Sequence, residues 1–395
     1  SSEAQFNHPI DITVDVHGTA YVVDHQNNRV QVFSTTNPET WRGEYFANRW
    51  LAAHPPLIRD ESEINFEWFA DSPDPVIPTE LFSSRWQRYV HFDRTGLYQF
   101  TLFIDDGGRL WVDDQLLIEE WYHPQRATFS ETLYLEAGYH RVRLEHYEYQ
   151  GWAAAALDIE YIDTTPPESN ATSPAYANTA PIVVSWTASD DYSGVASTTL
   201  WAKFGSDGVW AGTGLAQAGT AGTFNYTPTN GDGVYYFATV ATDNAGNVEA
   251  TPTGAGDTST VYDTVAPSSD ATSPEYANAA IPVNWTASDA TSGVDSTQLW
   301  VKFGSDGVWS SSGVPQSGVA GSFSYTPLNG EGRYYFATVA TDRAGNVEGT
   351  PTGDGDSDTL YDVTRPESQV HVPELENAKT VSLSWTASDN LSGVS

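Results

Sequence analysis

One five-residue string, Trp-Thr-Ala-Ser-Asp, occurs three times: at 186–190, 99 residues later at 285–289, and 100 residues after that at 385–389. More than the string recurs. Leu-Trp-x-Lys-Phe-Gly-Ser-Asp-Gly-Val-Trp stands at 200–210 and 299–309, and Tyr-Tyr-Phe-Ala-Thr-Val-Ala-Thr-Asp-x-Ala-Gly-Asn-Val-Glu at 235–249 and 334–348. Ser-Gly-Val follows each Trp-containing string, from Ser193, Ser292 and Ser392. A repeat this long is a whole folding unit rather than a solenoid turn. Many short strand-like runs separated by turn residues make a β-sandwich of each copy. The sequence therefore divides into repeats at 164–263 and 264–362 and a partial third at 363–395. A third of a sandwich has no opposing face to bury its own, so the partial copy is expected to continue in the natural protein or to pair with something else. Each junction (Asp163-Thr-Thr-Pro-Pro, Asp263-Thr-Val-Ala-Pro, Asp362-Val-Thr-Arg-Pro) ends in proline, which limits its own φ and the residue before it. Short, stiff linkers between beads are expected.

Residues ahead of the repeats use the same two-residue period. Phe100, Leu102 and Ile104 alternate with Thr101 and Phe103, and Leu110 and Val112 with Arg109, Trp111 and Asp113. Between them lies Asp105-Asp106-Gly107-Gly108, read as a tight turn whose glycines supply positive φ. Two adjacent carboxylates repel unless a cation or strong donors sit between them, so this turn is the leading candidate site. Helical periodicity is nearly missing, and the fold class is all-β.

Charge narrows the partners. Against 17 Lys and Arg stand 52 Asp and Glu, a net −35 with pI ≈ 4.2. Such a surface argues against nucleic acid and anionic membranes and suits a salt-rich setting with divalent cations. Cysteine is absent, so thiols say nothing of the redox compartment. Methionine is absent too, so Ser1 is read as the start of a processed or fragmentary piece. No apolar run approaches the ~18 residues that span a bilayer.

Residues 1–34 show three short strands, Ile10–Asp15, Ala20–Asp24 and Arg29–Phe33, with turns at His17-Gly18 and Gln26-Asn27-Asn28. On Pro9, Asp15, Gly18, Tyr21-Val22-Val23-Asp24 and Asn28-Arg29-Val30-Gln31-Val32-Phe33 this segment resembles an NHL repeat, one blade of a β-propeller. A single blade cannot bury both faces. Asp24 and Arg29 form either a binding rim or, as the commoner reading, a stabilising ion pair. A polar linker, 34–40 with Asn37-Pro38, follows.

Residues 41–163 resemble the PA14 domain, a β-sandwich of bacterial toxins, β-glucosidases and fungal adhesins. The resemblance rests on Gly43-Glu-Tyr-Phe46, Ile64-Asn-Phe-x-Trp68, Phe82-x-x-Arg-Trp86, Gly96-x-Tyr-x-Phe100 and Asp105-Asp106-Gly107. Strands are expected at 98–104, 110–121, 141–149 and 153–161. The early tryptophan and the Tyr-rich late strand of the 100-residue repeats resemble fibronectin type III or bacterial Ig-like modules.

The PA14 resemblance implies a chemistry for the acid pair. In sugar-binding members an adjacent Asp pair, often joined by a cis peptide, holds calcium that binds sugar hydroxyls; Asp105 and Asp106 match it and are the implied metal ligands. The second loop of that site falls on Glu148-Tyr-Gln-Gly-Trp152, which lacks the Asn that adhesins use there. The competing reading is a structural turn whose carboxylates cap backbone N–H groups. Trp121, Tyr122, Tyr149, Gln150 and Trp152 complete the carbohydrate-binding set, since exposed rings stack on sugar faces. In the repeats, Asp190, Asp243, Asp289 and Asp342 sit at acidic loops that could take calcium, though turn capping is commoner.

Catalysis has no support: the sequence holds no Gly-x-Ser-x-Gly elbow, His-Glu-x-x-His or phosphate loop. His123, His140 and His146 lack metal spacing. Sequons stand at Asn170, Asn225, Asn284 and Asn390. The expected function is a non-catalytic extracellular or cell-surface adhesin, its PA14 unit binding glycan through calcium and its repeats acting as spacers. A subunit of a surface layer or filament, including a homo-oligomer of neighbouring subunits, is one alternative. An accessory region of a secreted glycosidase is the other.

Overall fold

The computed structural model describes residues 6–14, 20–33, 39–372, 374 and 380–394. Asp15, His17-Gly18 and Asn37-Pro38, to which a strand end, a turn and a linker were assigned, lie outside them. The described structure is all-β, as the two-residue periods require; its helical content is one 3-10 turn, His25–Asn27. No helix among the described residues is long and apolar enough to cross a membrane. The chain forms two compact units, Ser1–Thr164 and Thr165–Ser395.

The first unit opens with an antiparallel meander of β1 (Pro9–Val14), β2 (Ala20–Asp24) and β3 (Arg29–Phe33). Asp24 is its hub. The fully buried carboxylate accepts from the Asn7 amide at 2.6 Å, Asn27 Nδ2 at 2.7 Å, Gln31 Nε2 at 2.8 Å and Arg29 Nε at 3.0 Å. Burial alone would raise its pKa, but these donors outweigh it and hold the carboxyl well below the usual range. The stabilising reading of Asp24 and Arg29 describes this geometry.

Ten strands follow: β4 (Trp41–Phe46), β5 (Leu57–Glu61), β6 (Asn65–Phe69), β7 (Ser83–Phe92), β8 (Gly96–Asp105), β9 (Gly107–Val112), β10 (Gln115–Glu120), β11 (Ala127–Leu135), β12 (Gly138–Tyr147) and β13 (Ala153–Ile162). They make a six-stranded sheet, β10-β9-β12-β7-β4-β5, and a four-stranded sheet, β11-β8-β13-β6. Inward residues of both sheets fill one core. Trp86, Leu110, Val112, Val142 and Leu144 come from the first, and Phe100, Leu102, Ile104 and Ala155 from the second. Expected alternation on β8 and β9 holds.

Two expectations need correction. The strand assigned to 110–121 is two strands, turned at Asp113 and Asp114, whose φ of 48° and 67° fit a type I′ hairpin. The Asp105-Asp106 turn, by contrast, joins two sheets rather than the two strands of a hairpin. β8 and β9 belong to different sheets, and Asp106 is the corner at which the chain crosses between them. Gly107 and Gly108 are accordingly buried strand residues rather than positive-φ turn residues. What demands glycine is crowding: a Cβ on Gly107 would lie 2.4 Å from Tyr147 Cε1 and 2.9 Å from the Glu120 carbonyl oxygen.

In the second unit each complete repeat is a sandwich. Glu168–Thr172, Ile182–Ser189 and Ala221–Tyr226 form a three-stranded sheet. Tyr176–Ala177, Thr258–Tyr262, Gly233–Asp243, Val195–Phe204 and Ala211–Gln217 form a five-stranded one, and the next repeat duplicates both. Trp186 and Trp285 sit in the cores at 2% exposure, each indole N–H donating to a glutamine, Gln217 at 3.0 Å and Gln316 at 2.9 Å. Lys203 and Lys302 are nearly buried, each capping loop carbonyls beside a tryptophan and a tyrosine ring. Among its described residues the third repeat presents the strands Glu367–His371 and Ser384–Ser388, and Trp385 is 68% exposed. A two-stranded ribbon has no facing sheet to cover it.

Candidate functional site

β8 delivers Asp105 to the edge of the core, and the next residue leaves the sheet. The Asp105–Asp106 peptide is cis. The corner is tied on every side. The Asp106 amide donates to the Tyr147 carbonyl at 3.2 Å, the Gln125 amide to the Asp106 carbonyl at 2.9 Å, and His146 Nε2 meets the Asp105 carbonyl at 2.8 Å. β12 therefore sets the corner from one side and the 121–126 loop from the other. His146 is fully buried among Trp68, Phe82 and Trp86. Burial outweighs its hydrogen bond and brings its pKa down to about 4, so the ring is neutral.

The two carboxylates have different duties. Asp106 Oδ2 accepts from the amides of Tyr149, at 2.6 Å, and Gln150, at 3.3 Å. That is the capping role, and it pulls the 148–152 loop onto the corner. Asp105 is buried; burial first and Asp106 second raise its pKa, and Arg126 at 3.4 Å opposes them. Arg126 also pairs with Glu67.

The residue that completes the site is Glu148. It is buried, its amide donates to the Phe82 carbonyl at 2.9 Å, and neither carboxyl oxygen has a hydrogen-bond partner. Burial, then the charges of Asp106, Asp105 and Glu80, and last a proton shared with the Asp106 carboxylate, push its pKa up to about 9. Glu80 itself accepts from the Gly151 amide at 3.1 Å. A buried carboxyl with no donor, opposed by the charges of two more acids, is an electrostatic deficit. Oxygen-rich, carboxylate-dominated donor sets are what calcium takes. The loop Glu148–Trp152 was expected to form the second side of the site without the Asn amide; its acid, Glu148, was not among the candidate residues. Its signal is the run Glu145-His-Tyr-Glu148, where alternation fails and successive polar residues turn inward.

The aromatic candidates separate. Trp152 is 55% exposed and stands edge-on to Phe69 at 5.6 Å; Tyr149 is exposed above the site; Tyr122, 73% exposed, lies in the loop that reaches the corner through Gln125. Gln150 contributes its backbone amide. Trp121 is withdrawn from the binding set. At 6% exposure it packs against Tyr147 at 4.8 Å and under the Arg109 guanidinium at 4.2 Å, which leaves no face for a ligand. Trp111 points outward from β9, layered between Arg109 and Arg143.

In the second unit Asp263, Asp289 and Asp342 bring carboxylate oxygens within 4.8 Å of one another. Each already caps neighbouring amides: Asp263 those of Val265 and Ser292, Asp289 those of Thr291 and Gly293, Asp342 that of Asn346. Asp190 and Asp243 cap in the same way.

Residues 39–173 match the PA14 domain, and residues 6–33 match the NHL repeat. Among curated proteins the chain is similar to anti-sigma-I factor RsgI3 of Acetivibrio thermocellus, 36% identical over 117 residues. That match takes in 29% of this chain and 18% of the relative's length. Among solved structures, an anti-sigma factor domain-containing protein from Clostridium clariflavum aligns at 17% identity and a TM-score of 0.29, over 81% of this chain and 98% of that one. The epithelial adhesin 9 A domain of Candida glabrata, solved with Galb1-4GlcNAc, aligns at 12% identity and a TM-score of 0.25, over 32% and 83%.

Proposed function

We propose that the PA14 domain is a carbohydrate-binding module that uses a divalent cation, calcium, held by Asp105, Asp106 and Glu148. The observation that carries this is the buried Glu148 carboxyl, which no donor reaches and which the charges of Asp105 and Asp106 oppose, with the exposed rings of Tyr149 and Trp152 on the same loop and Tyr122 on the loop that meets Asp106 through Gln125. Calcium would supply a Lewis-acidic centre for vicinal sugar hydroxyls, and the rings a face for the apolar C–H side of the sugar. In this reading the chain has no catalytic role. Its sandwich repeats, of fibronectin type III or Ig-like type, are spacers, and the protein works outside the cell on surface or matrix glycans.

The test uses the full chain. Calcium titration by calorimetry should show a site that Asp106→Asn or Glu148→Gln weakens at least tenfold, and retention on immobilised glycans should vanish in EDTA. Retention that persists in EDTA would sink the calcium-dependent reading.

A further inference from the structure

Arg49 stands beside this site with an unused charge. Other arginines of the same domain have carboxylate partners: Arg85 and Arg109 share Glu145, and Arg126 holds Glu67 and Asp105. Among the described residues no carboxylate pairs with Arg49. Its guanidinium lies instead over aromatic rings, 4.3 Å from the centroid of Trp50, 4.8 Å from Tyr149 and 5.7 Å from Tyr147. In a chain of net charge −35, a guanidinium with no carboxylate partner among the described residues is unexpected.

The loop that carries Arg49 is built to hold it. Asn48 Oδ1 accepts from the amides of Trp50, at 3.0 Å, and Ala52, at 3.1 Å, and Asn48 Nδ2 donates to the Ala52 carbonyl at 2.9 Å. Buried Ser83 ties the loop down, donating to the Asn48 carbonyl at 2.6 Å and accepting from the Leu51 amide at 3.1 Å. Tyr149 links this loop to the acid corner: its ring lies against Arg49 while its amide is on Asp106. Tyr147 joins them as well, its ring 5.7 Å from the Arg49 guanidinium and its carbonyl accepting from the Asp106 amide. The cation site and Arg49 are thus one side chain apart.

We infer that the saccharide bound here is anionic, its carboxylate or sulfate held by Arg49 between Trp50 and Tyr149 while its hydroxyls reach the cation at Asp105, Asp106 and Glu148. This rests on the carbohydrate-binding reading above. A guanidinium offers two parallel N–H donors to a carboxylate or sulfate, and flanking rings fix its plane. Without the divalent cation the charges of Asp105, Asp106 and Glu80 disfavour such a ligand, so anion recognition requires both the cation and Arg49. A neutral sugar would leave the pinned guanidinium with nothing to bind.

The experiment compares three oligosaccharides of one backbone, neutral, hexuronate-bearing and sulfated, binding to the full chain in calcium and in EDTA. Wild type should prefer an anionic form over the neutral one by about tenfold, the low end for a charge-assisted hydrogen bond. Arg49→Gln should erase that preference and keep the neutral binding and the unfolding temperature. Arg49→Lys should recover only part of it, because the planar fork is gone. The hexuronate and sulfate arms identify which anion is read. Equal wild-type affinity for charged and neutral forms, or a preference untouched by Arg49→Gln, would overturn this inference and leave the calcium site standing. Calcium-dependent binding to none of the three would overturn both.

Discussion

Replacing Glu148 with glutamine should make the protein more stable in EDTA, and increasingly so as pH rises. The carboxyl is buried without a donor and its pKa is pushed from 4.5 to about 9. Between those values the folded state keeps a proton that the unfolded state has lost. Folding is then penalised by about 1.4 kcal/mol for each pH unit above the unfolded pKa. The contribution is therefore fully present below pH ~4.5 and drains away toward the folded value. From pH 5 to pH 7 the wild type should lose about 3 kcal/mol against the variant, two units at ~1.4 each. Glutamine keeps the shape, carries no proton to lose, and its amide can donate to Asp106. Because the rest of this acidic chain also responds to pH, the difference between the two proteins is the readout. Calorimetric scans of the full chain in EDTA from pH 5 to 8, with hydrogen exchange at β8 and β9 to identify the relevant transition, measure it. Calcium should reverse the ranking, since the variant has given up a charged ligand. A wild-type–variant difference that stays flat across pH 5–8, or a variant less stable at pH 8 in EDTA, would refute the reasoning.

Gly107→Ala should destabilise the first unit by about 1–3 kcal/mol, the cost of forcing a methyl into a packed site, because its Cβ meets Tyr147 and the Glu120 backbone; urea titration reads this as a lower midpoint. Trp121→Ala should cost about 3–5 kcal/mol, as buried aromatic truncations do, whereas Trp152→Ala should leave thermal stability nearly unchanged and lower glycan retention. Paired melting and retention assays on the two variants distinguish core from platform. His146 should stay neutral through pH 5.5 and titrate near pH 4, seen in its ring carbon shifts; the stability it contributes is complete above its unfolded pKa of 6.5 and is lost as pH falls through about 4. Lys302→Met should cost about 1.5–3 kcal/mol, the worth of hydrogen bonds to a charged group, since it strips the caps from the Gly353 and Ser305 carbonyls; differential scanning calorimetry checks it.

Much of the fold was legible because it depends on local period. Alternation along 98–104 placed Phe100, Leu102 and Ile104 inward, and the recurrence of Trp186 at Trp285 marked equivalent core positions. The acid pair and its second loop were also found in advance, from residue type and family likeness. Sheet membership was not legible. Asp105-Asp106-Gly107-Gly108 has the composition of a hairpin turn, and composition cannot say whether the next strand pairs with the last or crosses to the opposite sheet. The burial of Trp121 was hidden for a similar reason: Tyr147 and Arg109, which cover it, come from other strands.

By itself the sequence determined an all-β chain, the repeat boundaries' spacing and the presence of two adjacent acids, because these follow from period and identity along one strand. Only the tertiary structure decided what those acids face. A carboxylate's neighbours are fixed by long-range strand pairing, and β12, drawn against β9 as far as Tyr147, places the next residue, the donorless acid Glu148, near the corner at Asp106.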